Sequence, residues 1–236
     1  MDNCLFLFIG ESFRLGNQLT RNRGSDESYP DQIKASHSHI NFIDHCIDKF
    51  NIKKTSVYIS TYNTKYNDNL ISIYEKYLLN HDIYDHVTGL PNNLFHKSIL
   101  KIKNIEDYDF VFYIRIDLFL KQEFIDIFDP TIEKILFPTI CWYKDRKCGN
   151  HPRVNDVMLF IPKKYYKYIK NFKIYHDNWY LLIETTDLTY NDLDTMIHTY
   201  HDSDSYKDFN PLYYIVNRSE SKETHSNGYI FDKMRF

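Results

Sequence analysis

Glycine and proline are scarce in this chain, six and seven among 236 residues. No stretch rich in Pro, Gly or Ser interrupts it as a linker would, and no internal repeat is visible. The sequence therefore predicts one domain over residues 1–236, with a more irregular C-terminal third. The glycines that follow the first apolar run, Gly10 and Gly16, have the wrong spacing for a P-loop or a GxGxxG fingerprint. Cysteine is also sparse. Cys4, Cys46, Cys141 and Cys148 form no CxxC pair. Cys4 and Cys46 lie in apolar contexts and are expected to be free and buried. Cys141 and Cys148 are close enough in sequence to bridge a loop, yet nothing demands it, and a reducing compartment is the default. Cys141, Cys148 and His151 lack an obvious fourth zinc ligand. Positive charge is not in excess: 29 Lys and Arg face 32 Asp and Glu, for a net charge of −3. Without a basic tail, nucleic acid is not an expected partner. Long apolar runs are missing too. Leu5 to Ile9 is too short to span a membrane and no basic segment precedes it, so neither a signal peptide nor a membrane span is expected, and the predicted location is cytoplasmic.

What remains is an ordinary globular share of hydrophobic residues, 43%, with an unusual 17% aromatic. The pattern predicts an α/β fold. Strands are expected at Cys4–Ile9, Thr55–Thr61, Ile83–Val87 and along Asp109–Phe119, with helices between them at 36–50, 69–79 and 93–103. Such alternation marks a mostly parallel sheet with crossover helices. Gln18–Lys34 reads as a long polar loop with Pro30 near its end. Further on, a helix is expected at 122–128, a strand within 132–140, and a charged, aromatic loop from Cys141 to Arg153. Another strand follows Asp156, and a short helix starts after Pro162. Residues 175–185 and 188–200 read as helices, and 209–216 as a last strand.

The run Asp109-Phe110-Val111-Phe112-Tyr113-Ile114-Arg115-Ile116-Asp117 organises the rest. It reads as a buried central strand that ends in charge, with apolar residues on both faces. In an open α/β sheet, ligands bind beyond the carboxyl ends of the strands, which is where Arg115 and Asp117 would sit. The alternative is a structural Arg–Asp pair closing the strand. Gly10 follows the first strand and lets the backbone turn or approach a ligand closely. Arg14, just beyond it, supplies a rigid fork of donors suited to phosphate. In the charged loop, Trp142 or Tyr143 would stack on a ring and Arg153 would meet phosphate or sugar. Asp156, anchored by the apolar residues that follow, is a candidate catalytic carboxylate; a turn or helix-capping aspartate is the alternative. His198 and His201, followed by Asp202 and Asp204, are candidate metal ligands in a stretch that also reads as a polar loop.

Taken in order, Gly10-x-Ser12-Phe13-Arg14, Ile59-Ser60-Thr61-Tyr62-Asn63, the run from Tyr108 to Asp117, and Val154-Asn155-Asp156 resemble small GT-A-type glycosyltransferases of large DNA viruses of the mimivirus kind and of bacterial polysaccharide clusters. The resemblance covers roughly residues 4 to 165. It implies a GT-A-like, Rossmann-like sheet, with residues 1–120 forming a nucleotide-binding half and residues 121–236 an acceptor-side half. It also implies a nucleotide-sugar donor, a glycan or other hydroxyl acceptor, and a divalent metal, Mn²⁺ or Mg²⁺, held by an Asp-x-Asp motif. In this chain that motif reads Arg115-Ile116-Asp117, so one carboxylate is replaced by a cation. A metal on Asp117 would then need another ligand, His198, His201 or the water shell, or Arg115 would offset the diphosphate in place of metal. The donor side would comprise Gly10, Arg14, Thr61, Arg115, Asp117 and Arg153, with Asp156 as base. A nucleotidyltransferase and a non-catalytic glycan- or protein-binding domain are the competing readings.

Overall fold

The computed structural model describes residues 1–15, 22–85, 91–142, 153–154, 157–169, 188, 193–200 and 213–215. The chain opens with β1 (Asn3–Gly10), followed by a two-stranded ribbon of β2 (Arg14–Leu15) and β3 (Asn22–Arg23). Then come α1 (Tyr29–Phe50), β4 (Lys54–Tyr62), α2 (Asn67–Tyr74), β5 (Leu78–Tyr84) and α3 (Pro91–Lys101). A short 3₁₀ turn leads to β6 (Phe110–Arg115), β7 (Leu118–Leu120) and α4 (Gln122–Ile127). β8 (Ile135–Trp142), β9 (Arg153–Val154), β10 (Met158–Pro162), α5 (Tyr166–Ile169), β11 (Leu193–Tyr200) and β12 (Tyr213–Ile215) complete the described elements.

The main sheet has the order β11-β8-β10-β6-β1-β4-β5, with β9 added on β8. β1 pairs parallel with β4 and β6, β4 with β5, and β11 with β8; β10 runs antiparallel between β6 and β8. This is an α/β fold with a mixed, mostly parallel sheet. β1 lies at its heart because every residue from Cys4 to Ile9 is apolar. Cys4, Phe6 and Phe8 enter one core with Phe42 and Cys46 of α1, Leu70 and Tyr74 of α2, and Phe124 of α4. Leu5, Leu7 and Ile9 enter the other with Leu94, Phe95 and Ile99 of α3. Period-two alternation thus feeds helices on both faces. Burying each such side chain stabilises by roughly 1.5–3 kcal/mol.

Several boundaries differ from the sequence expectation. α1 begins at Tyr29, inside the stretch read as loop, because Pro30 occupies the first helical turn, where its missing N–H costs nothing. The expected helix at 69–79 ends at Tyr74, and β5 starts at Leu78, earlier than the expected 83–87. Its edge position leaves Asn80 and His81 exposed and Asp82 half-buried, so polar residues interrupt its apolar ones. The expected helix at 188–200 is corrected: Leu193–Tyr200 is a strand paired parallel with β8, consistent with β-branched Thr195, Ile197 and Thr199 at alternate positions. Cys141 and Trp142 belong to β8 rather than to a loop. The central run divides after Arg115; Ile116 and Asp117 form a turn, and β7 leaves the main sheet to pair with β12. The helix expected at 175–185 lies outside the described residues.

Candidate functional site

β1, β4 and β6 run side by side and in parallel, in register from Gly10 to Thr61 and from Ile9 to Arg115. Their carboxyl ends therefore share one edge, and the two segments that leave β1 and β6 meet there. Gly10 has a φ of +133°. A Cβ at this position would meet Ile116 at an ordinary 3.9 Å, so backbone conformation, not space, calls for glycine. The Thr61 hydroxyl donates to the Gly10 carbonyl at 2.8 Å. With that proton committed, the Ser12 hydroxyl donates to Thr61 Oγ1 at 2.9 Å. Thr61 thus pins the turn after β1 to the end of β4. Phe13 then adopts a left-handed φ of 51°, an uncommon conformation for a bulky residue. The Gln32 side-chain oxygen accepts its N–H at 3.2 Å, and Tyr29 and Tyr66 hold its ring.

Two ion-pair clusters lie at this edge. Arg115 places Nε and Nη2 at 3.0 and 2.6 Å from the two oxygens of Asp117, a forked pair across the turn. Both residues are buried, at 6% and 2% exposure. Nearby in sequence, Glu11 takes Arg14 Nη1 at 2.7 Å on one oxygen and Arg23 Nη2 at 3.0 Å on the other. Arg14 and Arg23 are directly opposite each other on the β2–β3 ribbon, and Glu11 offsets their repulsion. Arg23 also lies 4.5 Å over the Tyr62 ring.

Helix α1 ties these segments together. The Gln32 amide donates to the Ile116 carbonyl at 2.7 Å while accepting from Phe13, so one side chain bridges the turns after β1 and β6. Ser38 Oγ accepts the Leu120 N–H at 3.0 Å. His39 lies 2.6 Å from the Leu118 carbonyl through Nε2 and 2.7 Å from the Tyr74 hydroxyl through Nδ1. A carbonyl only accepts, so Nε2 carries the proton and Tyr74 donates to Nδ1. The ring stacks on Phe8 at 4.5 Å. Complete burial pushes the His39 pKa down to about 3, against the opposing pull of the Leu118 carbonyl and the Asp117 charge.

Of the sequence-derived candidates, Gly10, Arg14, Thr61, Arg115 and Asp117 come together at this edge. Arg153 lies in β9, paired with Cys141 of β8. His198 lies in β11 in register with Ile140, and β11 stands three strands from β6, about 14 Å at ordinary strand spacing. Asp156 and His201 lie outside the described residues, as do Cys148 and His151. Glu11, Arg23, Gln32 and His39 were not singled out as site residues from the sequence. Glu11 carried a signal, an acidic residue between a strand-end glycine and an arginine; Gln32, in a stretch read as loop, carried none.

Among the described residues no group of three or more His, Cys, Asp or Glu side chains converges to hold a metal ion. The one carboxylate left at the Asp-x-Asp position, that of Asp117, accepts guanidinium hydrogen bonds on both oxygens. No helix among them is long and apolar enough to cross a membrane.

No protein-family model and no curated protein matches the sequence. Among solved structures, the chain is similar to the glycosyltransferase GlyE of Streptococcus pneumoniae, with 13% identity and a TM-score of 0.39 over 82% of this chain and 44% of that one. It is also similar to a candidate nucleotide-diphospho-sugar transferase from Desulfovibrio desulfuricans, at 11% identity and a TM-score of 0.39, covering 84% of this chain and 80% of the other. A third similar structure is Rv0371c from Mycobacterium tuberculosis, at 11% identity and a TM-score of 0.38, covering 84% and 88%. The chain thus spans less than half the length of GlyE.

Proposed function

We propose that the chain is a glycosyltransferase that moves a sugar from a nucleotide-sugar donor to an acceptor hydroxyl. The observation that carries this reading is the meeting of the Gly10–Arg14 segment, Thr61 and the Arg115–Asp117 turn beyond the carboxyl ends of three adjacent parallel strands. That edge is where open α/β sheets bind ligands. Arg14 and Arg115 hold the donor diphosphate and offset the charge that grows on it as the anomeric C–O bond breaks. Gly10 allows close backbone approach, Thr61 fixes the turn, and Arg153 meets phosphate or sugar. Asp156 is the base that removes the acceptor proton in an inverting transfer. Val157, the next residue in sequence, accepts the Arg115 N–H at 2.8 Å. Arginine carries out the neutralisation that the resemblance assigned to Mn²⁺ or Mg²⁺ on Asp117, His198 and His201.

One observation favours a second reading, a non-catalytic domain: Arg115 and Asp117 form a forked ion pair while nearly inaccessible to solvent, as a structural strand closure would. A thermal-shift panel of nucleoside diphosphates and their sugars, with Mn²⁺ and with chelator, separates the two. The expected result is a shift specific to one nucleotide that survives chelation. Turnover should release nucleoside diphosphate rather than pyrophosphate and should be lost in Asp156→Asn with donor binding retained. No shift across the panel on folded protein would favour the non-catalytic domain. Unchanged turnover in Asp156→Asn would remove the base.

A further inference from the structure

The ribbon beside the candidate donor edge holds an unfinished hydrogen-bond inventory. Glu11 engages Arg14 through Nη1 and Arg23 through Nη2. Arg14 Nη2 and Arg23 Nε are buried and have no acceptor among the described residues. Arg14 is only 5% exposed. Buried guanidinium N–H groups without acceptors are costly, more so than neutral donors. In this described cluster two guanidiniums face one carboxylate, so charge and donors are both in surplus in the same place. An oxyanion with several acceptor oxygens cancels both surpluses at once, and a phosphate matches two guanidinium forks better than a single carboxylate does.

We propose that Arg23, with Arg14, forms a two-arginine clamp for a phosphate-bearing ligand, and that Glu11 is the internal anion that holds the clamp closed when the ligand is absent. The proposal deepens, and rests on, the reading of this edge as a diphosphate site, and it adds a residue to which that reading gives no role. The free donors are shielded from solvent in the closed arrangement. Ligand and Glu11 therefore compete for the same guanidiniums: phosphate enters as Arg14 and Arg23 turn from the carboxylate. The ribbon permits this, being two residues long on each strand and separate from the main sheet. Tyr62, under the Arg23 guanidinium, keeps that side chain at the edge as it turns.

The test is calorimetric titration of the full chain with inorganic pyrophosphate, with nucleoside diphosphates and with the matching nucleosides. The variants are Arg23→Gln, Arg23→Lys and Glu11→Gln. Pyrophosphate and diphosphates are expected to bind and to weaken about 10- to 100-fold in Arg23→Gln, the range for a lost hydrogen bond to a charged group. Nucleoside binding should be unaffected. Arg23→Lys, which keeps charge but not the fork, should fall between, and Glu11→Gln should tighten pyrophosphate several-fold by removing the competitor. A purely structural Arg23 would lower the melting temperature and leave pyrophosphate affinity alone. That result in Arg23→Gln, or in Arg23→Lys if the glutamine variant does not fold, overturns the proposal. So does a wild-type chain that binds neither pyrophosphate nor any diphosphate. If pyrophosphate binds through Arg23 but no nucleotide sugar is bound or turned over, the glycosyltransferase reading falls and the clamp stands. If a nucleotide sugar is turned over equally by Arg23→Gln, the clamp falls alone.

Discussion

Buried, neutral His39 makes the fold sensitive to mild acid. Its ring has no exposure to solvent, its Nε2–H is spent on the Leu118 carbonyl, and its Nδ1 accepts from Tyr74. Protonation would place a second proton on Nδ1, against the Tyr74 hydroxyl, inside a core lined by Phe8. The folded pKa is about 3, against an ordinary value of 6.5. Between those two pH values the unfolded chain binds one more proton at this position than the native chain does. Stability therefore falls as pH falls, by up to ~1.4 kcal/mol per pH unit, and this contribution is fully present only above the unfolded pKa. From pH 6.5 to pH 4.5 the expected loss from this group is about 2 kcal/mol. Urea unfolding of the wild type and of His39→Gln across that range isolates it, because glutamine can donate and accept at the same two positions but does not titrate. The variant is expected to start less stable, through loss of the Phe8 stack, and to show a shallower acid slope. Parallel slopes for the two proteins would refute the reasoning, as would a His39 imidazole resonance titrating near pH 6.5.

Gln32→Leu leaves the Phe13 N–H and the Ile116 carbonyl without their partner, at a cost of about 3 kcal/mol, and should also weaken any ligand that needs both turns in place; a loss below about 0.5 kcal/mol by denaturant unfolding would deny the bridge its role. Gly10→Ala meets no clash but must adopt a φ near +133°, so a destabilisation of ~1–3 kcal/mol is expected by the same assay. Asp117→Asn removes a counter-charge from a buried guanidinium and is expected to cost about 3–5 kcal/mol, whereas the double change Arg115→Met with Asp117→Leu should cost less than that single change. Additive losses in that cycle would show that the two side chains are not energetically paired.

The two faces of β1 and β6 were legible because a strand buried on both sides is apolar at every position, a property written in a few adjacent residues. The edge they define, with Gly10, Arg14, Thr61 and Arg115, followed from strand direction. β5 and β11 were misplaced for the opposite reason. Their strand identity comes from pairing with β4 and β8, and their own residues carry polar positions that fit a helix or loop as well. The same division runs through the site. Arg115 meets Asp117 two residues away, and Arg14 meets Glu11 three residues away, so both partners stood within reach of a local reading. Gln32 serves partners 19 and 84 residues distant, and His39 one 79 residues distant. No pattern in an amphipathic helix marks which of its polar residues will be buried, because that is decided by what the sheet delivers to it. The turns that carry the arginines are thus set by a helix that contributes no described charge to them. A substitution on the inner face of α1 is expected to alter ligand binding without touching any residue that meets the ligand, since Gln32 links the Phe13 and Ile116 backbones to each other.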